Sequence, residues 1–577
     1  MGNVSLTIDG RVVTVPRETT VLQAAAAAGV KIPTLCYLEE INEIGSCRLC
    51  VVEIEGARAL AASCVTPVAE GMVVHTNTRA VREARKAVLE LIISNHPFEC
   101  LTCIRNKQCE LQSLAEAFGI RQVRFEGAHS QHSSDESTPS IVRDPSKCVL
   151  CRRCVAVCEH VQGVSAINVS GRGFESVVGP AADLPLNQAA CALCGQCVLV
   201  CPTGALHEVD STAKVWAALS DPKKHVVVQT APAIRVAIGD EFGLEPGSVV
   251  TGQLVAALRA LGFDRVFDTD FTADLTIIEE GNELLQRLNT GGTLPMITSC
   301  SPGWIKFIEH FYPDLLDHLS TCKSPQQMFG ALAKTYYAEK AGIDPSDMFV
   351  VSLMPCTAKK FECTRPEMNS SGYQDVDAVI TTRELARMLR ESGVDIATID
   401  PEEYDEPLGI STGAAVIFGA TGGVMEAALR TVYEVVTGKE LGSLEFHDVR
   451  GELNGIREAQ VQVGDLTVKV AVANGLANAR KLMDKVRAGE AEYHFIEVMA
   501  CPGGCIGGGG QPIGTNTERR LQRIEGTYKA DADMAVRKSH ENPAIKALYE
   551  EFLKEPLGEL SHHLLHTHYT ARGKYSR

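Results

Sequence analysis

Thiol side chains carry the chemistry open to this chain. Three stretches set a cysteine among prolines, glycines or lysines: Thr298-Ser299-Cys300-Ser301-Pro302, Met354-Pro355-Cys356-Thr357-Ala358-Lys359-Lys360, and Met499-Ala500-Cys501-Pro502-Gly503-Gly504-Cys505. Thiolates are soft ligands suited to iron–sulfur clusters and zinc, and adjoining glycines let backbone approach a bulky inorganic group. The chain holds 21 cysteines. Its N-terminus shows no basic stretch followed by an apolar core and a cleavage site, so metal binding is expected rather than disulfides.

Each stretch follows an apolar, β-rich run: Leu294 to Ile297, Met348 to Leu353, and Phe495 to Val498. Such runs are the pattern of buried parallel strands, and open α/β sheets place ligand sites at the carboxyl ends of their strands. The expectation is therefore that all three cysteine stretches meet at one edge of one sheet; three unrelated buried cysteines are the plain alternative. From about Ser211 strands and amphipathic helices alternate, an α/β layout. Val226 to Val228 reads as a strand, Gly252 to Leu261 and Leu275 to Leu288 as helices, and further strand–helix pairs run through Ile380 to Leu389 and Val468 to Val486. The glycines at Gly419 to Gly423 and Gly507 to Gly510 lack the Lys-Ser/Thr ending of a phosphate loop and are not read as nucleotide sites.

Four more ligand sets precede this region. Residues Val4 to Val15 alternate apolar and polar around Asp9-Gly10, a hairpin signal, and Thr20 to Gly29 reads as a helix, together a small β-grasp beginning. Cys36, Cys47, Cys50 and Cys64 follow, similar to plant-type ferredoxins though differently spaced, and a [2Fe-2S] cluster is the expected occupant; tetrahedral zinc is the alternative. A helix from about Thr78 to Ser94 leads to His96, Cys100, Cys103 and Cys109, one imidazole and three thiolates. The same [4Fe-4S] ligand set occurs in large hydrogenases and in the electron-input subunit of respiratory complex I. Residues 126–140, rich in Ser and His, read as a surface linker. Cys148, Cys151, Cys154 and Cys158 then repeat, 43 residues later, as Cys191, Cys194, Cys197 and Cys201. In two-cluster bacterial ferredoxins the fourth cysteine of each run serves the other cluster. The expected sets are thus Cys148, Cys151, Cys154 with Cys201, and Cys191, Cys194, Cys197 with Cys158.

The stretches Met354-Pro355-Cys356-Thr357-x-Lys359-Lys360 and Cys501-x-Gly503-Gly504-Cys505 resemble the active-site signatures of the [FeFe]-hydrogenases, and the resemblance runs through essentially all 577 residues. It implies an H-cluster: a cysteine-held [4Fe-4S] cubane joined through Cys505 to a two-iron unit carrying CO, CN and azadithiolate, which makes or oxidises H2. By matching position, Lys359 would point at a cyanide, and Pro232, Gln326, Met354, Phe418 and Met499 would line the pocket. The same resemblance implies a proton line through Cys300, Glu280, Ser320, Glu283 and Arg287. Independently, Glu280, Glu283 and Arg287 share one helical face, which also describes a plain solvated salt-bridge face. The implied fold class is multidomain α+β and α/β: a β-grasp [2Fe-2S] domain over 1–78, a [4Fe-4S] domain with one His and three Cys ligands over 79–125, a two-cluster ferredoxin domain over 139–210, an α/β H-cluster catalytic domain over 211–516, and a C-terminal extension packed on it over 517–577.

One position departs from the family pattern. Aligned through Pro302-Gly303-Trp304, Cys300 falls at the relay cysteine and Ser301 at a cubane ligand. Either Ser301 or solvent completes the cubane, or the backbone slips and Cys300 ligates it. Cys322 and Cys363 fall outside every motif and are read as free thiols, and the tail histidines His562, His563, His566 and His568 as surface packing.

The net charge of −17 (55 basic against 72 acidic residues) argues against nucleic-acid and membrane-surface binding, and no apolar run of membrane-spanning length occurs. A cytoplasmic protein is expected, with one [2Fe-2S] and three accessory [4Fe-4S] clusters relaying electrons to ferredoxin or an NAD(P)-linked flavoprotein subunit, and with maturation proteins as partners. A complex I-like electron-transfer subunit, an H2 sensor and an iron–sulfur assembly relative are the rivals. The first would lack Cys356, Cys501 and Cys505 in these contexts, the second usually adds a signalling domain, and the third usually lacks the full accessory set.

Overall fold

The structure, a computed structural model, describes residues 2–574 apart from 452, 454 and 465. Strands Asn3–Ile8 and Arg11–Pro16 pair antiparallel with Ile8 opposite Arg11. Asp9 and Gly10 turn the chain with φ of 46° and 81°, the double left-handed geometry of a tight hairpin. The hairpin enters a five-stranded sheet. Beneath it, helix Val21–Ala27 starts from a capping box between Thr20 and Gln23. Helix Arg79–Ser94 follows. Strands Ile141–Arg143 and Leu206–Glu208 then pair antiparallel and close the start of the two-run cysteine segment onto its end.

The region after residue 211 contains two four-stranded sheets. The first, in spatial order Arg265–Asp268, His225–Thr230, Met348–Met354, Ala378–Thr381, is wholly parallel. Its two central strands are buried on both faces, as a parallel sheet covered by helices requires. The second runs Met296–Ile297, Phe495–Met499, Leu466–Asn474, Ile456–Val463, with an antiparallel edge. This corrects the expectation of one shared sheet edge. The stretches ending in Cys300 and Cys501 belong to one sheet, and the stretch ending in Cys356 belongs to the other. An apolar run signals burial on both faces but carries no information about which strand lies beside it.

Helix Thr269–Thr290 joins the two halves. Asp268 caps it, accepting the Asp270 N–H at 3.2 Å. Its Phe271 and Leu275 pack in the core of the first sheet, while Ala273, Ile277 and Leu284 pack in the core of the second. At 22 residues it is roughly 33 Å long, enough to carry Glu280 and Glu283 from the interior towards the surface. Among the described residues no helix is long and apolar enough to cross a membrane.

The segment from residue 517 on is tied to helix Gly423–Thr437 by buried charge. Arg430, fully buried, pairs with Glu426 at 2.8 Å and with Asp531 of helix Thr517–Ala532 at 2.9 Å. Removing one member of a buried ion network strands the others without compensation, at about 3–5 kcal/mol. Arg430→Ala is therefore expected to loosen helix Thr517–Ala532 by that amount, seen as faster amide exchange confined to the helix and its contacts. Unchanged exchange there would show that apolar packing alone holds it.

Candidate functional site

The carboxyl ends of strands from both sheets surround a largely apolar cavity. Cys300, Ser301, Cys356, Cys501 and Cys505 all line it, as do Lys359, Pro232, Gln326, Met354, Phe418 and Met499. Glycine makes this convergence possible. A Cβ at Gly508 would lie 2.1 Å from the Pro355 carbonyl oxygen, and one at Gly504, whose φ is 93°, would lie 2.7 Å from the Thr421 nitrogen. The Gly510 N–H donates to Pro355 O at 2.9 Å, stitching the second cysteine stretch to the third.

The lining suits an anionic, thiolate-held group. Lys359 is the one charged side chain among the described lining residues. Its Nζ donates to the Cys300 carbonyl at 3.1 Å and to Glu362 Oε2 at 2.9 Å. Glu362, which the sequence analysis did not single out, stands one helical turn beyond Lys359 and also accepts from Ser324 Oγ at 2.9 Å and Gln326 Nε2 at 3.0 Å. The other amide atom, Gln326 Oε1, is buried with no hydrogen-bond partner. Burial raises the pKa of the Cys356, Cys501 and Cys505 thiols, that of Cys505 to about 12. Three thiols so disposed favour thiolate only beside a cation.

A polar line leaves this cavity. Burial, reinforced by neighbouring Glu283, pushes the Glu280 carboxyl up to about 8. Burial also raises the Cys300 thiol, with Glu280 as the next cause. Ser320 lies near enough to Glu280 to lower its carboxyl pKa in part, and donates its Oγ–H to Glu283 Oε2 at 2.9 Å. Arg287 Nη2 closes on Glu283 Oε1 at 2.6 Å and on the Leu319 carbonyl at 2.6 Å. The Arg287 side chain is 13% exposed, against 7% for Glu283. Glu280, Ser320 and Glu283 are buried, so the face they share is internal and not a solvated salt-bridge face.

The upstream ligand sets also converge. In the first, Cys50 and Cys64 sulfurs lie 3.3 Å apart and the Cys47 N–H meets Cys36 Sγ at 3.5 Å. His96, Cys100, Cys103 and Cys109 line one cavity. Burial holds the His96 ring neutral, its pKa down at about 4, and its Nδ1 is buried with no hydrogen-bond partner, as a metal ligand requires. Cys148, Cys151, Cys154 and Cys201 line a third cavity, and Cys158, Cys191, Cys194 and Cys197 a fourth, the crossed pairing. The two cysteine loops share a strained backbone: Leu150 and Leu193 have φ of 52° and 55°, which aims their N–H groups at Cys148 and Cys191 sulfur at 3.4 Å. Of the other thiols, Cys363 donates to the Lys360 carbonyl at 3.2 Å and Cys322 lies behind Glu283.

These cavities are linked. Asn42 Nδ2 donates to the carbonyls of both Cys36 (2.7 Å) and Cys151 (3.0 Å). Arg105, beside the His96 set, donates to Cys201 O at 3.0 Å. Cys194 lines both the fourth cavity and the central one, a role its spacing did not reveal. There a Cβ on Gly509 would lie 2.3 Å from Cys194 O, and one on Gly195 would lie 3.1 Å from Gly509 Cα.

Comparison with known proteins gives matches along the chain. Residues 224–509 match the family described as iron only hydrogenase large subunit, C-terminal domain, and 517–572 match iron hydrogenase small subunit. Residues 2–79 match a 2Fe-2S iron-sulfur cluster binding domain, 85–124 the NADH-ubiquinone oxidoreductase-G iron-sulfur binding region, and 138–207 the ferredoxin-like domain of NADH-quinone oxidoreductase subunit 3. The chain is 53% identical over 584 residues to the NADP-reducing hydrogenase subunit HndD of Solidesulfovibrio fructosivorans, covering 99% of this chain and 100% of that one. It is 41% identical to iron hydrogenase 1 of Clostridium pasteurianum over 98% of this chain and 99% of that one. A solved variant of [FeFe]-hydrogenase HydA1 from Chlamydomonas reinhardtii, 46% identical, superposes with a TM-score of 0.57, covering 63% of this chain and 100% of that chain.

The raised Glu280 pKa has a measurable sign. The folded value near 8 exceeds the unfolded value of about 4.3, so the folded state keeps the proton longer. Its contribution to stability is full below about pH 4 and is lost as pH climbs towards 8. Glu280→Gln cannot titrate. Wild-type stability relative to that variant should fall between about pH 5 and pH 8, by up to about 1.4 kcal/mol per pH unit, measured as the difference in urea midpoints. A gap that does not change with pH would mean Glu280 is ionised in the fold.

Proposed function

The chain belongs to the iron-only, or [FeFe]-, hydrogenases, and from that premise we propose that it interconverts protons, electrons and H2 at an H-cluster held by Cys356, Cys501, Cys505 and Ser301. The observation that carries this is the meeting of those side chains with Lys359 in one otherwise apolar cavity whose far wall is Cys194. Cys356, Cys501, Cys505 and Ser301 would hold such a cluster, which when bound would supply the iron at which protons and electrons combine.

The residues around it divide the remaining work. Lys359 would hold the anionic group through its ammonium, and Pro232, Met354, Phe418 and Met499 exclude water, which strengthens electrostatic contacts inside. Protons enter at Arg287 and pass Glu283, Ser320 and Glu280 to Cys300. A carboxyl whose pKa lies near working pH suits such transfer. The roles of Cys300 and Ser301 follow from their neighbours. Cys300 stands beside Glu280, whereas the Ser301 hydroxyl accepts the Ala500 N–H at 3.3 Å, next to Cys501. That disposition favours Cys300 as the proton donor and Ser301 as the oxygen at the cubane corner, where a hard ligand would leave that iron labile.

Electrons reach the site through one [2Fe-2S] and three [4Fe-4S] clusters in the four upstream ligand sets. Both the first set, through Asn42, and the His96 set, through Arg105, abut the Cys148 set, so two inlets join before Cys194. The external partner proposed is ferredoxin, an NAD(P)-linked flavoprotein subunit, or both. The NADP-reducing relative and the matches to NADH dehydrogenase segments support this. Such partners imply a cytoplasmic setting, and maturation proteins would install the two-iron unit.

Infrared spectroscopy of matured protein is expected to show CO and CN stretches, with H2 evolved from reduced viologen; a fully loaded protein that makes no H2 would favour a sensing relative. Cys300→Ala should keep the cubane and lower turnover by about 100-fold to 10,000-fold, the usual worth of a placed proton donor. Loss of the cubane, or its reduction to three irons, would make Cys300 the ligand instead.

Residues 211–577 alone should keep viologen-driven activity and lose coupling to ferredoxin or NADPH. The solved relative that spans 63% of this chain is a hydrogenase of that extent. Retained coupling in the folded fragment would sink the relay.

A further inference from the structure

Behind the proton line three metal-ligating side chains meet. Glu283 of helix Thr269–Thr290, Cys322, and His566 just past helix Glu559–Leu565 place one donor atom each within 4.8 Å of one another, and all three are buried. Backbone holds them together. Cys322 and His566 form an antiparallel bridge, flanked by Lys323 N–H to Leu565 O and Thr567 N–H to Thr321 O, both 2.8 Å. We propose that Glu283, Cys322 and His566 form a site for a thiophilic divalent cation of the Zn2+ class, and that its occupation closes the proton line.

The donor set and its surroundings fit that class. Zinc takes thiolate, imidazole and carboxylate together, and three protein ligands leave a fourth position for water. His566 is already oriented as metal-binding histidines are. Its Nε2 meets Glu279 Oε2 at 3.2 Å; with the proton on Nε2, Nδ1 accepts from the Thr321 Oγ1–H at 2.8 Å, and the hydroxyl, free to rotate, gives up that lone pair when a cation binds. Glu279 is fixed in turn by Tyr549, Ser561 and the Leu557 N–H. The Cys322 sulfur approaches Glu283 Oε2 at 3.9 Å, a contact too long to satisfy it. Binding is a simple displacement: the cation takes the proton's place on the Cys322 sulfur, the S–H bond breaks, one metal–sulfur bond forms and the proton leaves to solvent. No electron moves. The site lies close beneath the surface, since the His566 ring stacks at 4.7 Å and 5° on that of His562, which is exposed.

The consequence for turnover rests on Glu283 lying in the proton line. A cation on Glu283 Oε2, the oxygen that faces Cys322, takes the place of the Ser320 Oγ–H on that oxygen and interrupts the line there, while Oε1 stays paired with Arg287. The site would make hydrogen turnover responsive to free transition metal without contact with any iron.

Zn2+ added to the matured holoenzyme, with its iron content verified unchanged, is the probe, read by zinc-edge X-ray absorption and by H2 evolution from reduced viologen. One zinc per chain with a sulfur scatterer at about 2.3 Å, together with an activity loss of at least tenfold that a chelator reverses, is expected. Cys322→Ala should abolish the sulfur scatterer and raise the half-inhibiting Zn2+ concentration at least tenfold; His566→Gln should raise it likewise, and serves if the first variant does not fold. Zinc bound without sulfur, as the exposed group Glu434, His540 and Glu541 would hold it, or a sulfur scatterer that survives Cys322→Ala, overturns the site. Sulfur ligation lost in Cys322→Ala but without inhibition in the wild type upholds the site and removes Glu283 from the proton line.

Discussion

Crowded, buried thiols are the constraint from which the rest of this structure follows. Cys154, Cys194 and Cys197 have pKa values raised well above the ordinary thiol range by burial, and each is raised further by neighbouring cysteines. As thiolates without a cation they would repel one another in a medium that cannot screen them. The chain is thus shaped around positive charge that it does not itself supply, and cluster insertion and folding are coupled. Pro, Gly and left-handed backbone near the ligands serve that end, bringing N–H groups to sulfur while keeping Cβ atoms away.

Helix Thr269–Thr290 is the second organising feature. Because it packs into both sheet cores, the gap between the sheets is held at the width of a helix plus its side chains, and the cavity is the part of that gap the helix does not fill. The helix that spaces the sheets also carries the buried carboxyls. A substitution at Ile277 or Leu284 would therefore act on cavity shape and on the placement of Glu280 and Glu283 together.

Much of this was legible from residue types and spacing. The internal repeat, read against two-cluster ferredoxins, already pointed to the grouping in which Cys201 joins the Cys148 cavity and Cys158 the Cys191 cavity, and the Asp9-Gly10 turn and the helix through Gly252 to Leu261 follow from local pattern; that helix is observed as Thr251–Ala260. Illegible were relations set by tertiary placement. The two-sheet division of the three cysteine stretches leaves no trace in their apolar runs. Glu362 is ordinary in sequence and matters because it folds back onto Lys359 and Gln326. His566, one of four tail histidines read as surface packing, is 6% exposed and reaches a site 287 residues away at Glu279. Cys322 is unremarkable in sequence and is buried against Glu283. Local pattern encodes elements and ligand spacing, whereas second partners depend on what the chain brings from afar.

The glycine contact at the seam between the ferredoxin-like segment and the central cavity has a meaning for kinetics. Gly195 and Gly509 touch backbone to backbone, with the Cys194 carbonyl beside them. Tunnelling probability falls exponentially with the gap an electron must cross. One methyl group at this seam would push the two ligand loops apart and would slow the last electron hop while leaving each cysteine set complete. Conductance here is set by the absence of side chains, and these two glycines are as much part of the wire as the cysteines on either side.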